Sequence, residues 1–122
     1  MLKVLCIIVV IILIGVCLLY TFPLARVCGR SMFPTYKDGG LLLTTRLFNR
    51  DKLKIGKVYI YTKTNEDGQE HLVVKRLTKI HPSDPSLVFM EGDNTEESYD
   101  SRHYGFINAE QIIAKVLWQV KQ

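Results

Sequence analysis

The chain has little cysteine, and what it has builds no disulfide framework. Of three cysteines, Cys6 and Cys17 fall inside one long apolar stretch and Cys28 lies just beyond it. No pair is left to staple a soluble domain, so the cysteines do not report a redox compartment. No Cys/His spacing matches a zinc site, and no cofactor is expected. Internal repeats and low-complexity linkers are also missing, which excludes a solenoid or a disordered array. A basic cluster is lacking too: 16 Lys and Arg alternate with 12 Asp and Glu, for a net charge of +4. A nucleic-acid binder carries its basic residues on an organised face, so no nucleic-acid partner is expected. Contact with anionic lipid head groups is the modest alternative use of that charge.

Charge is absent altogether from Val4 to Leu24, "VLCIIVVIILIGVCLLYTFPL". As a helix rising ~1.5 Å per residue, this stretch is about as long as a bilayer's hydrocarbon core is thick, ~30 Å. A soluble core helix is rarely apolar on every face for so long. A cleaved leader would end in a small-x-small exit, and cutting after Ala25 would put Pro23 at its third position. A helix lying in the membrane plane needs a polar face, and none exists here. The stretch therefore reads as a transmembrane helix. Its flanks carry Lys3 on one side and Arg26, Arg30 and Lys37 on the other. Counted naively, they keep the C-terminal part in the cytoplasm, but the rule is calibrated on short loops and a folded domain translocates largely regardless of charge.

A chain of 122 residues makes one domain, with an appendage at most. Past the apolar stretch the pattern predicts strands: "ARVCG", "GGLLLTTRL", the alternating "KVYIYTKT", "EHLVVKRLTKI" and "SLVFMEG". Asp67-Gly68 is a hairpin turn signal between two of them. "HPSDP" breaks the chain, and "DNTEESYDSRHYG" reads as loop. The closing "INAEQIIAKVLWQV" suits a helix or a strand, and strand is the reading taken. The expectation is a mainly β, antiparallel domain over residues 26–122, behind an anchor at 1–25.

One serine, Ser31 in "GRSMFPT", follows the apolar stretch closely. A hydroxyl is a poor nucleophile until a base takes its proton. Three kinds of base are conceivable. His71, His81 or His103 could serve, oriented by Asp93 or Asp100. A metal could serve, but no ligand set is present. Lys75 in "HLVVKRL" shares a strand face with Val73 and Leu77. If that face is buried, desolvation lowers the amine's pKa and a neutral base results. Pattern alone leaves open whether Lys75 points inward or to water.

Gly92 to Gly105 reads "GDNTEESYDSRHYG". With "GRSMFPT", "VVKRL" and the apolar N-terminal helix, in that order, it resembles the type I signal peptidases, membrane-anchored Ser/Lys proteases. Their patterns are Gly-x-Ser-Met-x-Pro-Thr, Lys-Arg on a strand, and Gly-Asp-Asn-x-x-x-Ser-x-Asp-Ser-Arg-x-x-Gly. Every fixed position of the last is met.

The resemblance implies Ser31 as nucleophile, Lys75 as general base, and Ser98 hydrogen-bonded to the Lys75 amine. It implies support from Asp93, Asn94, Asp100, Arg102 and Arg76. Met32 would pack by the substrate pocket, and Gly29 would let the backbone approach closely. Some family members place an oxyanion-binding hydroxyl at the position of Gly29, which has none, so the Ser31 N–H is the first donor and the second is undetermined. The family's fold is an antiparallel β core of coiled sheets. Its substrates are exported preproteins cut after small-x-small sites, so signal peptides, membrane lipid and the export machinery are the implied partners. By resemblance the N-terminus is cytoplasmic and the catalytic domain extracytoplasmic, at the cell membrane. Larger members insert a second β domain before the Gly-Asp-Asn loop; here only a short "HPSDP" connection and one strand intervene, as in minimal bacterial members or in a specialised plasmid, phage or secretion-system protease. A self-cleaving regulator on the same chemistry carries a DNA-binding helical domain and often cuts at an Ala-Gly bond; here a membrane helix stands in that place and no alanine precedes a glycine. A catalytically silent, membrane-tethered peptide-binding module would not need both Ser31 and Lys75.

Overall fold

A computed structural model describes residues 1–121. The apolar stretch forms helix α1, Leu2–Thr21, long and apolar enough to cross a membrane. It starts and stops earlier than the uncharged run does. The run's last residues cannot stay helical because Pro23 disfavours helical geometry in the residue before it, and Phe22 leaves the helix at φ −123°, ψ 67°. No residue of α1 is buried.

The rest is the antiparallel β fold that the alternating pattern predicts. Strands β1 (Leu24–Arg26), β2 (Leu41–Thr45), β3 (Val58–Thr64), β4 (Glu70–Ile80) and β5 (Leu87–Glu91) follow one another. A short helix α2 (Ser101–Tyr104) then precedes β6 (Ile107–Asn108) and β7 (Ile112–Lys121). They make one seven-stranded sheet in the order β1-β2-β7-β3-β4-β5-β6. The closing segment is thus a strand, inserted between β2 and β3. Bulges interrupt the β2–β7, β3–β7 and β4–β5 ladders and add twist to the sheet. At the β3–β4 turn, Gly68 takes φ +81° and donates its N–H to Asn65 O, as the Asp-Gly signal requires.

Two apolar clusters lie on opposite faces, divided by the period-two alternation of β3. Tyr59 and Tyr61 pack with Leu77, Val88, Met90 and Ile112. Val58 and Ile60 pack with Val27, Met32, Leu42 and Ala114. Each fully buried aliphatic side chain contributes roughly 1.5–3 kcal/mol. The second cluster positions the serine loop, because Met32, next to Ser31, is 1% exposed within it.

Candidate active site

The loop between β1 and β2 presents Ser31. Its ends are closed by Val27 N–H to Gly40 O at 2.8 Å and Gly39 N–H to Val27 O at 2.7 Å. Inside, Tyr36 N–H donates to Met32 O at 3.0 Å, while buried Met32 anchors the turn. Gly29 sits at φ +89° and donates its N–H to Asp38 Oδ1 at 2.9 Å. A Cβ there would meet nothing within 4 Å. The close approach expected of Gly29 is therefore not its role; the left-handed backbone is what requires glycine.

On β4 the alternation resolves the question the sequence left open. Lys75 points inward and is 5% exposed, whereas Arg76 turns to the other face. Lys75 Nζ lies 2.8 Å from Ser31 Oγ, in hydrogen-bond contact. Burial pushes the Lys75 amine below its ordinary range; the Asp100 carboxylate opposes the shift and the Arg102 guanidinium adds to it.

The polar loop supports this contact from beneath. Asp100 is fully buried and takes five hydrogen bonds. They come from Gly92 N–H (2.8 Å), Ser98 Oγ (2.6 Å), Arg102 N–H (3.1 Å), and Arg102 Nε (3.0 Å) and Nη2 (2.6 Å). Burial alone would raise the Asp100 carboxyl; the Arg102 guanidinium, the Ser98 hydroxyl and the two amides outweigh it and hold it well below the carboxylate range. Arg102 also reaches Gly92 O at 3.1 Å and Glu91 at 3.5 Å. The resemblance implies the Ser98 hydroxyl on the Lys75 amine. It donates to Asp100 instead, because that carboxylate is the stronger acceptor within reach, and among the described residues it makes no bond to Lys75.

Asp93 and Asn94 join this loop to the serine loop. Arg76 grips Asp93 with two bonds, Nε–Oδ1 at 2.9 Å and Nη2–Oδ2 at 2.7 Å, and Thr35 Oγ1 donates to the same carboxylate at 2.5 Å. Asn94 N–H donates to Ser31 O at 2.9 Å, and its side-chain amide to Arg30 O at 3.0 Å. Thus all ten residues singled out in the sequence lie on the serine loop, on β4 or on the polar loop, and direct hydrogen bonds link the three segments.

Three contributors escaped the sequence reading. Gly92 is squeezed between Ser98 and the Ser31 carbonyl: a Cβ there would lie 2.1 Å from Ser98 Oγ and 2.5 Å from Ser31 O. Thr35, quoted only as part of the serine motif, bonds Asp93. Tyr99 lines the groove beside Ser31. The motif marks the first as a fixed position but does not say why, since its constraint comes from packing against Ser98 and the Ser31 carbonyl.

The histidines stand apart from the hydroxyl. His81 Nδ1 accepts from the amides of Ser83 and Asp84, and His103 Nδ1 accepts from Asp100 N–H at 3.3 Å. His71 lines the groove but is exposed, four residues or ~13 Å along β4 from Lys75. No histidine is hydrogen-bonded to Ser31 among the described residues. Among those residues no group of three or more His, Cys, Asp and Glu is placed to hold a metal ion.

A groove of about 530 Å³ opens in front of Ser31, walled by β1 and the first half of β4. Both walls are unpaired edges: β1 pairs only with β2, and Glu70–Lys75 of β4 pair only with β3. Such edges offer free backbone donors and acceptors to an added strand.

Asp100→Asn is expected to lower unfolding free energy by about 3 kcal/mol, since it strips the charge from a buried, paired carboxylate and leaves Arg102 only its longer contact with Glu91. Urea unfolding checks this. In the wild type the Asp100 contribution is full above the ordinary carboxylate pKa of ~3.9 and is lost as pH falls through the lower folded value; the variant loses that acid limb.

The sheet carries an edge groove with a buried amine at its serine, and comparison with known proteins says which family this arrangement belongs to. The family described as "Signal peptidase, peptidase S26" matches residues 51–120, which include Lys75 and the whole polar loop, while Ser31 precedes the match. Signal peptidase I of Bacillus caldolyticus is 46% identical over 41 residues, a match covering 31% of this chain and only 22% of that protein. Mitochondrial inner membrane protease subunit 1 of Schizosaccharomyces pombe is 31% identical over 119 residues, covering 83% of this chain and 74% of the relative. The chain belongs to the signal peptidase S26 family.

Proposed function

We propose that this protein is a membrane-anchored serine endopeptidase that removes signal peptides from exported preproteins with a Ser31/Lys75 dyad. The observation that carries the reading is the 2.8 Å contact between the buried Lys75 amine and the Ser31 hydroxyl. While Lys75 is protonated, its ammonium donates to Ser31 Oγ. Once neutral, its lone pair accepts the hydroxyl proton, and Oγ attacks the scissile carbonyl. The Lys75 ammonium then protonates the leaving amine, and a water repeats the sequence to release the acyl group. The Ser31 N–H is the first donor for the developing oxyanion.

The groove supports an extended substrate. An extended peptide laid between the β1 and β4 edges pairs its backbone with both. Alternate side chains of such a strand face the same way, so the first and third residues before the cut both point into the groove. The resemblance to the signal peptidases implies small residues at those two positions. Residues 1–25 act as the anchor and 26–122 as the protease domain, with the N-terminus cytoplasmic, the catalytic domain outside the cell membrane, and the export machinery delivering precursors.

The test is incubation of the purified protein with a panel of preproteins, with cut sites read by mass spectrometry. Cleavage after small-x-small sites is expected. Ser31→Ala should reduce it by on the order of 10⁴-fold or more. The combined His71→Ala, His81→Ala and His103→Ala variant should keep most activity. An active Ser31→Ala protein, or a dead histidine variant that is still folded, would overturn the assignment.

A further inference from the structure

Only two residues, Phe22 and Pro23, join helix to sheet. α1 ends at Thr21 and β1 begins at Leu24. Strand β2 pairs with β1 through Arg26↔Leu41, Ala25↔Leu42 and Leu24↔Leu43, and its ladder then runs past the start of β1 onto the helix end. Thr44 N–H and Oγ1 both donate to Pro23 O, at 3.1 and 2.7 Å. Arg46 N–H donates to Thr21 O at 2.9 Å, and Arg46 Nε to Tyr20 O at 2.8 Å. The guanidinium also lies 4.6 Å from the centre of the Tyr20 ring.

The last carbonyls of a helix have no partner within it. Here β2 supplies partners, and Arg46 adds a positive charge where the helix dipole is negative. Since no residue of α1 is buried, the helix is not held by packing its length on the sheet. Its angle to the sheet rests on this junction.

We propose that Arg46 is a positioning residue that locks α1 to β2, so that helix and sheet move as one lever and Ser31 is held at a fixed height above the bilayer. This rests on the protease reading. That height then selects which bond of a membrane-inserted precursor is cut. A loose tether would let the groove sample many heights and leave selection to the peptide sequence alone.

The test uses the full-length protein in phosphatidylcholine/phosphatidylglycerol vesicles with two substrates. One is a soluble peptide bearing a single Ala-x-Ala site. The other is a membrane-inserted precursor bearing several such sites at staggered distances from its apolar segment. The wild type should cut the precursor at one dominant site. Arg46→Ala should cut the soluble peptide within about twofold of wild type, but lose about tenfold on the precursor and spread its cuts over neighbouring sites. Thr44→Val, which removes the 2.7 Å bond to Pro23, should shift the cuts in the same direction by less.

A readout independent of cleavage is the depth of a spin label on exposed Cys28, in a Cys6→Ser/Cys17→Ser background. Its distribution should be narrow in the wild type and broad in Arg46→Ala. Unchanged label depth, unchanged precursor cut sites, or an equal fall on both substrates would overturn the proposal. A wild type that cuts neither substrate would overturn the protease reading instead, and label depth would then decide the clamp alone.

Discussion

Lys75→Met is expected to abolish cleavage and, in the same protein, to raise the temperature of unfolding. Methionine matches the length of the lysine stem and suits a buried position. It removes the amine that faces Ser31 Oγ at 2.8 Å, so no base remains and the rate should fall by on the order of 10⁴-fold or more. It also removes a group the fold holds against its preference. Burial disfavours the ammonium, and the folded amine titrates below its ordinary value of 10.5. Between the two values the unfolded chain binds more protons, so wild-type stability rises with pH through that window. The methionine variant has no such dependence. Its gain should be largest below the lowered pKa and fade above about 10.5, with each kcal/mol worth ~4–8 °C in a domain of this size. Wild-type activity should follow the neutral fraction of the same amine, falling as pH drops through the lowered value. Calorimetry across pH, run beside peptide cleavage, reads both effects. A variant that still cleaves would remove Lys75 from the mechanism, and one less stable than wild type at neutral pH would show that burying the amine does not cost the fold stability.

That a lysine can occupy such a place was half legible in the sequence. The alternation in "EHLVVKRLTKI" sets Val73, Lys75 and Leu77 on one face and Arg76 on the other. It could not say which face is covered, because the groups that meet Lys75, the Ser31 hydroxyl at 2.8 Å and the nearby Asp100 carboxylate, are distant in the chain. The strands and the Asp-Gly hairpin were readable for a related reason: period-two patterns and turn residues act locally. The sheet order was not. β7 lies between β2 and β3, a choice made by side-chain fit among non-neighbouring strands. Helix α2 lies in a segment whose composition reads as loop, because four residues carry no periodicity. Its cap, Asp100, accepts from Arg102 N–H while its carboxylate also organises Ser98 and Gly92. The Ser98 partner was missed in the same way, since a motif fixes which residue is present and not which of two neighbours its hydroxyl chooses.

Gly92→Ala tests whether the three segments must meet as closely as they do. Gly92 is not among the glycines at positive φ, so its backbone is open to any residue, and space alone forbids a side chain. An added Cβ would stand 2.1 Å from Ser98 Oγ, 2.6 Å from Ser98 Cβ and 2.5 Å from Ser31 O. The serine hydroxyl could rotate away, but its Cβ and the Ser31 carbonyl belong to chains fixed by other bonds. The polar loop must therefore retreat from the serine loop. That movement strains the Asn94 N–H to Ser31 O bond of 2.9 Å, and with it the 2.8 Å contact between Ser31 and Lys75. A displacement of about 1 Å at reacting atoms costs on the order of 10²-fold in rate, and overpacking of this kind costs about 1–3 kcal/mol in stability. The loss should fall on kcat more than on KM, because the groove edges that hold the peptide are untouched. Adding Ser98→Gly removes two of the three clashes and leaves the one with Ser31 O. The double variant should recover part of the stability and little of the rate. Full activity in Gly92→Ala would mean that the close meeting of Gly92, Ser98 and Ser31 is incidental to catalysis; a rate restored by Ser98→Gly would place the constraint at Ser98 rather than at the nucleophile's carbonyl.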